Sequence, residues 1–132
     1  MVLDTSALLA VLLDEPECER FIGAIGQADV ARLSVASFVE ASLVLQARSG
    51  AEAIRRLDLL LRRAGIEVTP VSVEQGLMAR EAFARFGKGR HPAGLNFGDC
   101  FAYALAKDVD EPLLFKGHDF SKTDIDSWQF NR

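Results

Sequence analysis

The sequence predicts an α/β domain built on a central, mostly parallel sheet. Three observations carry that expectation. Short apolar segments of strand length alternate with longer segments of helical period, the pattern of a parallel sheet covered on both faces. Gly, Pro or a small polar residue stands at most of the switches between them. The 132 residues contain no repeat, low-complexity tract or internal linker, so one domain spanning 1–132 is expected.

The elements follow in order. Met1-Val-Leu-Asp4 is a short apolar strand running into Thr5-Ser6, a natural helix cap. Residues 7–13 continue as helix, and Asp14-Glu-Pro16 opens another to about Ile25. Arg32-Leu-Ser-Val35 reads as the second strand. Residues 36–48 are apolar on nearly every side, which predicts a buried helix stopped by Gly50. Residues 51–64 place Ile54, Leu57, Leu61 and Ala64 on one stripe, with Gly65 as the stop. Ile66–Val71 is the third strand and Val73–Phe86 an amphipathic helix. The glycine-rich loop 87–94 leads to a helix from about Phe97 to Lys107 and the strand Pro112–Phe115. Phe120 and Trp128 mark a final segment able to close an edge.

Composition narrows the class. Apolar residues make up 49% and charged residues 26%, ordinary for a folded domain and unlike a disordered chain. No apolar run approaches the roughly 20 residues needed to cross a bilayer, and no basic leader precedes one, so a soluble, cytoplasmic chain is expected. Cys18 and Cys100 have no metal-ligand spacing and read as reduced, structural thiols. The net charge of −4 argues against a general nucleic-acid coat, but it is unevenly spread. Residues 1–47 carry net −5, whereas residues 48–65 carry five arginines against two acids. That basic stretch suits either a phosphate contact or a plain surface helix, since Glu52–Arg56 and Asp58–Arg62 are spaced for ion pairs.

Four acids stand where packing alone would not put them. Asp4 ends an apolar strand, Glu40 interrupts the most apolar helix, Asp99 opens the helix after the glycine-rich loop, and Asp119 follows the last strand. Singly, each has a structural explanation: Asp4 and Asp119 suit turns, Glu40 can point out through a gap, and Asp99 can cap its helix with Asn96. Together they fall where an α/β sheet binds ligands. Clustered carboxylates repel, and a hard divalent cation such as Mg²⁺ or Mn²⁺ relieves the repulsion. The two histidines, His91 and His118, are too few for a softer metal site.

The run Met-Val-Leu-Asp4-Thr-Ser-Ala-Leu, Glu40 within its helix, Gly98-Asp99-Cys-Phe-Ala-Tyr-Ala-Leu-Ala106 and the late Asp119-Phe120 resemble, in order and spacing, a PIN domain. The resemblance covers essentially the whole chain. Its size and the tail Lys116-Gly-His-Asp-Phe120 look like the VapC toxins, ribonuclease halves of bacterial toxin–antitoxin pairs. The resemblance implies a three-layer α/β/α fold and a ribonuclease using Mg²⁺, with Mn²⁺ able to substitute. It carries Asp4, Glu40, Asp99 and Asp119 over as metal ligands, with Asp124 an alternative fourth acid, because Lys116-Gly-His118 replaces part of the usual pattern. Ser6 and Asn96 carry over as supporting polar residues. It also implies a VapB-like antitoxin and a homodimer.

Positive charge beside an acidic centre is needed to hold RNA. Lys88, Arg90 and His91 in the loop before Asp99, and Lys116 before Asp119, are candidates for flanking phosphates, or else belong to solvated loops. Within the resembled family, tRNA and ribosomal loops are the targets. The hydrophobic helices 36–48 and 51–64 suit an amphipathic antitoxin helix. The alternatives are a silent PIN-fold binding module, a DNA nuclease of the wider group, and a phosphoacceptor domain. The last is disfavoured because Thr-Ser, not a second acid, follows Asp4.

Overall fold

The computed structural model describes residues 1–130. Strand β1 (Val2–Leu3) is followed by helices α1 (Thr5–Leu12) and α2 (Cys18–Gln27), and β2 (Arg32–Ser34) by the long α3 (Val35–Arg63). Then come β3 (Glu67–Thr69), α4 (Val73–Phe86), α5 (Phe97–Val109), β4 (Leu113–Leu114) and a 3₁₀ turn at Phe120–Lys122. The strands form one sheet in the order β3-β2-β1-β4, with every pairing parallel.

Successive residues of a strand point to opposite faces, and that alternation makes two cores from very short strands. Leu3 pairs in register with Leu33 and Leu114, and all three pack into the core under α1, α2 and α3. Val2 and Leu113 point the other way, into a second core with Ala82, Phe86, Tyr103 and Leu105 of α4 and α5. The result is the three-layer α/β/α arrangement. Side-chain caps start the helices: Asp4 accepts from the Ser6 N–H, Ser34 from Ala36, Ser72 from Gln75 and Asn96 from Asp99. At the amino ends of the strands, Arg32 bridges Glu111 and Glu67 across the sheet, at 3.0 and 3.2 Å.

Three expectations change. Helix 36–48 is amphipathic rather than buried: Ser37, Ala41 and Leu45 face the core, while Val39 is 48% and Leu43 64% exposed. Its apolar outer side had suggested burial, but the sheet covers only one flank. Gly50 does interrupt the helix, at φ 67° and ψ −152°, yet the chain resumes helix at once instead of turning away. In the second half Glu52 pairs with Arg55, and Arg56 donates instead to the Leu12 carbonyl, capping the end of α1. The final segment adds no full strand: a single bridge joins Ser127 to Leu113, and Phe120 opens the 3₁₀ turn. Among the described residues no helix is long and apolar enough to cross a membrane.

Because Leu3 is wholly buried in the central strand, Leu3→Ala should cost about 2–5 kcal/mol in urea unfolding. Val68→Ala, on the half-exposed edge strand β3, should cost less than about 1 kcal/mol. Equal losses at both positions would contradict the two-core packing.

Candidate active site

The chain leaves β1 toward β2 and β3 on one side, then returns through β4 to its other side. The carboxyl end of β1 is therefore the place where the strand order reverses, the crevice in which sheets of this kind bind ligands. Asp4 is the first residue beyond it. Its backbone N–H donates to the Leu114 carbonyl at 2.9 Å, and its Oδ2 accepts from the Ser6 N–H at 3.0 Å. The other oxygen, Oδ1, is buried and has no hydrogen-bond partner in the protein. Burial drives the Asp4 carboxyl well above its ordinary value, the Ser6 hydrogen bonds oppose that rise, and the nearby charge of Glu40 adds to it.

Asp99 reaches the same place from α5. A reciprocal capping box holds it: its N–H donates to Asn96 Oδ1 at 2.9 Å, and its Oδ2 accepts from the Asn96 N–H at 3.0 Å. Burial pushes its carboxyl up to about 7, with the charges of Asp4, Glu40 and Asp119 adding and the Asn96 hydrogen bond opposing. Glu40 projects from α3, and its carboxylate lies against Gly98, the residue before Asp99. Asp119 is exposed at the start of the 3₁₀ turn after β4. Asp99 thus feels the charge of the other three acids at one end of the sheet. Among the described residues, no three His, Cys, Asp or Glu side chains are gathered closely enough to ligate one ion as they stand. Two of the four, Asp4 and Asp99, are tied to N–H groups of their own turns. The donors nonetheless fit a hard divalent cation, since all are carboxylate oxygens and Asp4 Oδ1 lacks any other partner.

Residues 1–126 match the PIN domain family. The chain is 52% identical over 125 residues to Ribonuclease VapC30 of Mycobacterium tuberculosis, covering 95% of each protein. The chain belongs to the VapC ribonuclease family of PIN domains. Its fold is shared by the crystal structure of Mycobacterium tuberculosis VapC20, a toxin that cleaves the sarcin–ricin loop, with TM-score 0.78 at 17% identity over 97% of this chain and 98% of that one. VapBC2 from Rickettsia felis, crystallised on a DNA fragment from its promoter, gives TM-score 0.77 at 12% identity, covering 98% of both chains.

Within this PIN domain the other residues singled out from sequence divide. Ser6 lies at the crevice, where its Oγ accepts from the Lys116 N–H at 3.0 Å and so ties the end of β4 to the start of α1. Asn96 is the cap of Asp99. Asp124 does not join the acids: its carboxylate accepts from the Tyr103 hydroxyl at 2.6 Å and meets Lys107 and Arg85 at 3.3 and 3.7 Å. Burial works against its ionisation, but these partners outweigh it and hold the carboxyl below the usual range. Asp119, whose charge is felt at Asp99, is the better placed of the two. Lys116 also departs from expectation, because its Nζ pairs with Glu15 at 3.2 Å and Glu17 at 3.4 Å. Those two acids, in the turn between α1 and α2, carried no motif that would have flagged them. Lys88 and Arg90 are exposed, with the Arg90 guanidinium 6.0 Å from the Phe83 ring, and His91 Nδ1 accepts from the Ala93 N–H. Thr5 is not the cap, a place Asp4 takes; its buried hydroxyl instead donates to the Ser37 carbonyl and fastens α1 to α3.

A titration follows from Asp99. Between the ordinary carboxylate value and about 7, the folded protein keeps a proton there that the unfolded chain has lost, so metal-free stability falls as pH rises across that window. Asp4 shifts the same way. In EDTA, Tm should be lower at about pH 8 than at about pH 5, Mn²⁺ should narrow the gap, and Asp99→Asn should flatten it. A Tm that rises with pH in EDTA would contradict this assignment.

Proposed function

We propose that this PIN domain, residues 1–132, is the toxin of a type II toxin–antitoxin pair, a Mg²⁺- or Mn²⁺-dependent endoribonuclease. The observation that carries the reading is the partnerless, buried Asp4 Oδ1 at the strand-order reversal, with the charges of Glu40 and Asp99 close by. Asp4, Asp99 and Glu40 would hold the principal cation, and Asp119 would join them or serve a second ion. The cation, when bound, polarises a phosphoryl oxygen and makes water a competent nucleophile at neutral pH. Glu40 orients that water for in-line attack at phosphorus and accepts its proton. The P–O3′ bond breaks and the departing oxygen takes a proton from solvent, leaving a 5′-phosphate and a 3′-hydroxyl. Ser6 and Asn96 act one step back, holding Asp4 and Asp99 in place.

The substrate is RNA, with a tRNA or ribosomal loop as the structured target, read through unpaired bases. The relative named Ribonuclease VapC30 supports the first part of that statement. Lys88 and Arg90 contact flanking phosphates, whereas Lys116 reaches one only by leaving Glu15 and Glu17. The restraining partner is a VapB-like antitoxin, in keeping with the VapBC assembly of similar fold. A groove of about 310 Å³ between α2 and the second half of α3, lined by Ile22, Ile25, Leu60 and Arg63, suits its amphipathic helix. Exposed Val73, Leu77, Phe83 and Phe97 on α4 and α5 offer an apolar face for a homodimer.

Incubated with total tRNA and a ribosomal fragment in Mg²⁺ or Mn²⁺, the partner-free protein should cut at few positions. EDTA or Asp4→Asn should abolish cutting, by at least about 100-fold. Cleavage that survives both would exclude the metal reading. No cleavage by the unaltered protein, with no Mn²⁺ binding by calorimetry, would favour a silent binding module. Neutralising Lys88 and Arg90 together should flatten the salt dependence of RNA binding by about 1.4 in log–log slope. An unchanged slope would remove them from the interface.

A further inference from the structure

Gly98 occupies the second position of α5 and is buried. Its φ lies outside the left-handed range, so no backbone requirement selects glycine there. Glycine is a poorer helix residue than alanine, and its presence at a buried helical site calls for another cause. That cause is space. A Cβ at residue 98 would fall 2.5 Å from both Cδ and Oε1 of Glu40, and closer still to Oε2. All three atoms of the Glu40 carboxylate therefore occupy the volume that any larger residue would fill.

We propose that Gly98 is a positioning residue, whose missing side chain lets the Glu40 carboxylate cross from α3 to the first turn of α5 and stand beside Asp99. This rests on the metal-site reading above. Glu40 and Gly98 belong to elements far apart in sequence, and α3 and α5 pack directly against each other. The first turn of a helix carries N–H groups without intrahelical acceptors and a partial positive charge, which offsets part of the cost of bringing a second carboxylate next to Asp99. A methyl group at residue 98 would push the Glu40 carboxylate off this turn and leave Asp99 in place, because the capping box uses only Asn96 and Asp99 themselves. Gly98 thus acts on one ligand of the set.

The test is a double-mutant cycle read by Mn²⁺ calorimetry and by thermal unfolding in EDTA. Gly98→Ala should bind Mn²⁺ at least ten-fold more weakly than the unaltered protein. In a Glu40→Ala background the same change should leave Mn²⁺ affinity within two-fold, and in EDTA it should raise Tm, since alanine then gains helix propensity without a clash. Wild-type Mn²⁺ affinity in Gly98→Ala would overturn the proposal, as would an equal loss with and without Glu40. If Gly98→Ala alone does not fold but the double variant does, the Gly98–Glu40 clash is confirmed; if neither folds, the space argument fails. Absence of Mn²⁺ binding by the unaltered protein would overturn the metal reading and this proposal together. The EDTA melts would then still report separately whether residue 98 and Glu40 compete for the same volume.

Discussion

Carboxylates gathered at one end of a sheet repel one another, and the fold must restrain each of them more strongly than that repulsion. In this chain the restraint is local for two of the four. Asp4 is pinned by the N–H of Ser6 and Asp99 by the N–H of Asn96, each within its own turn. Each bond also starts a helix, so the interactions that hold these acids are the ones that begin α1 and α5. The helices in turn are locked by the two cores on either side of Leu3 and Val2. Burial first, and then the charges of Asp4, Glu40 and Asp119, lift the Asp99 carboxyl to about 7 against the opposing hydrogen bond from Asn96.

The sheet makes this placement economical in chain length. The two-residue strands β1 and β4 leave no room for a register slip, because a shift of one would exchange the two faces and bury Val2 and Leu113 in the wrong layer. Asp4 follows Leu3 immediately, so the register that packs the cores also delivers its carboxylate to the crevice. The same register brings Lys116 within reach of Ser6, closing the wall between β1 and β4.

Much of this was legible in the residues. An acid directly after an apolar strand, and an Asn three positions before an Asp at a helix start, are local patterns, and both were found where expected. The alternation of strands and helices was equally local. What escaped depended on distant partners. The face of α3 bearing Val39 and Leu43 is as apolar as its buried face, so composition alone could not tell that one lies open. Lys116 and Asp124 looked available because Glu15, Glu17, Tyr103 and Lys107, which engage them, lie far away in sequence. Glu40 was recognised as misplaced in an apolar helix, but the neighbour that accommodates it sits on another element.

The pairing of Tyr103 with Asp124 has a consequence for the segment between β4 and the chain's end. On that segment Lys116 is moored through Ser6, Phe120 by burial in the second core, and Asp124 through Tyr103 and Lys107. Asp119 stands next to the buried Phe120, exposed to water yet unable to drift far from α5. Such a stretch tolerates exchange of its exposed residues, but its length is set by the moorings on either side of Asp119. Lengthening a loop adds little free energy, so an extra residue there would leave the fold standing while swinging the outermost acid out of line with the other three.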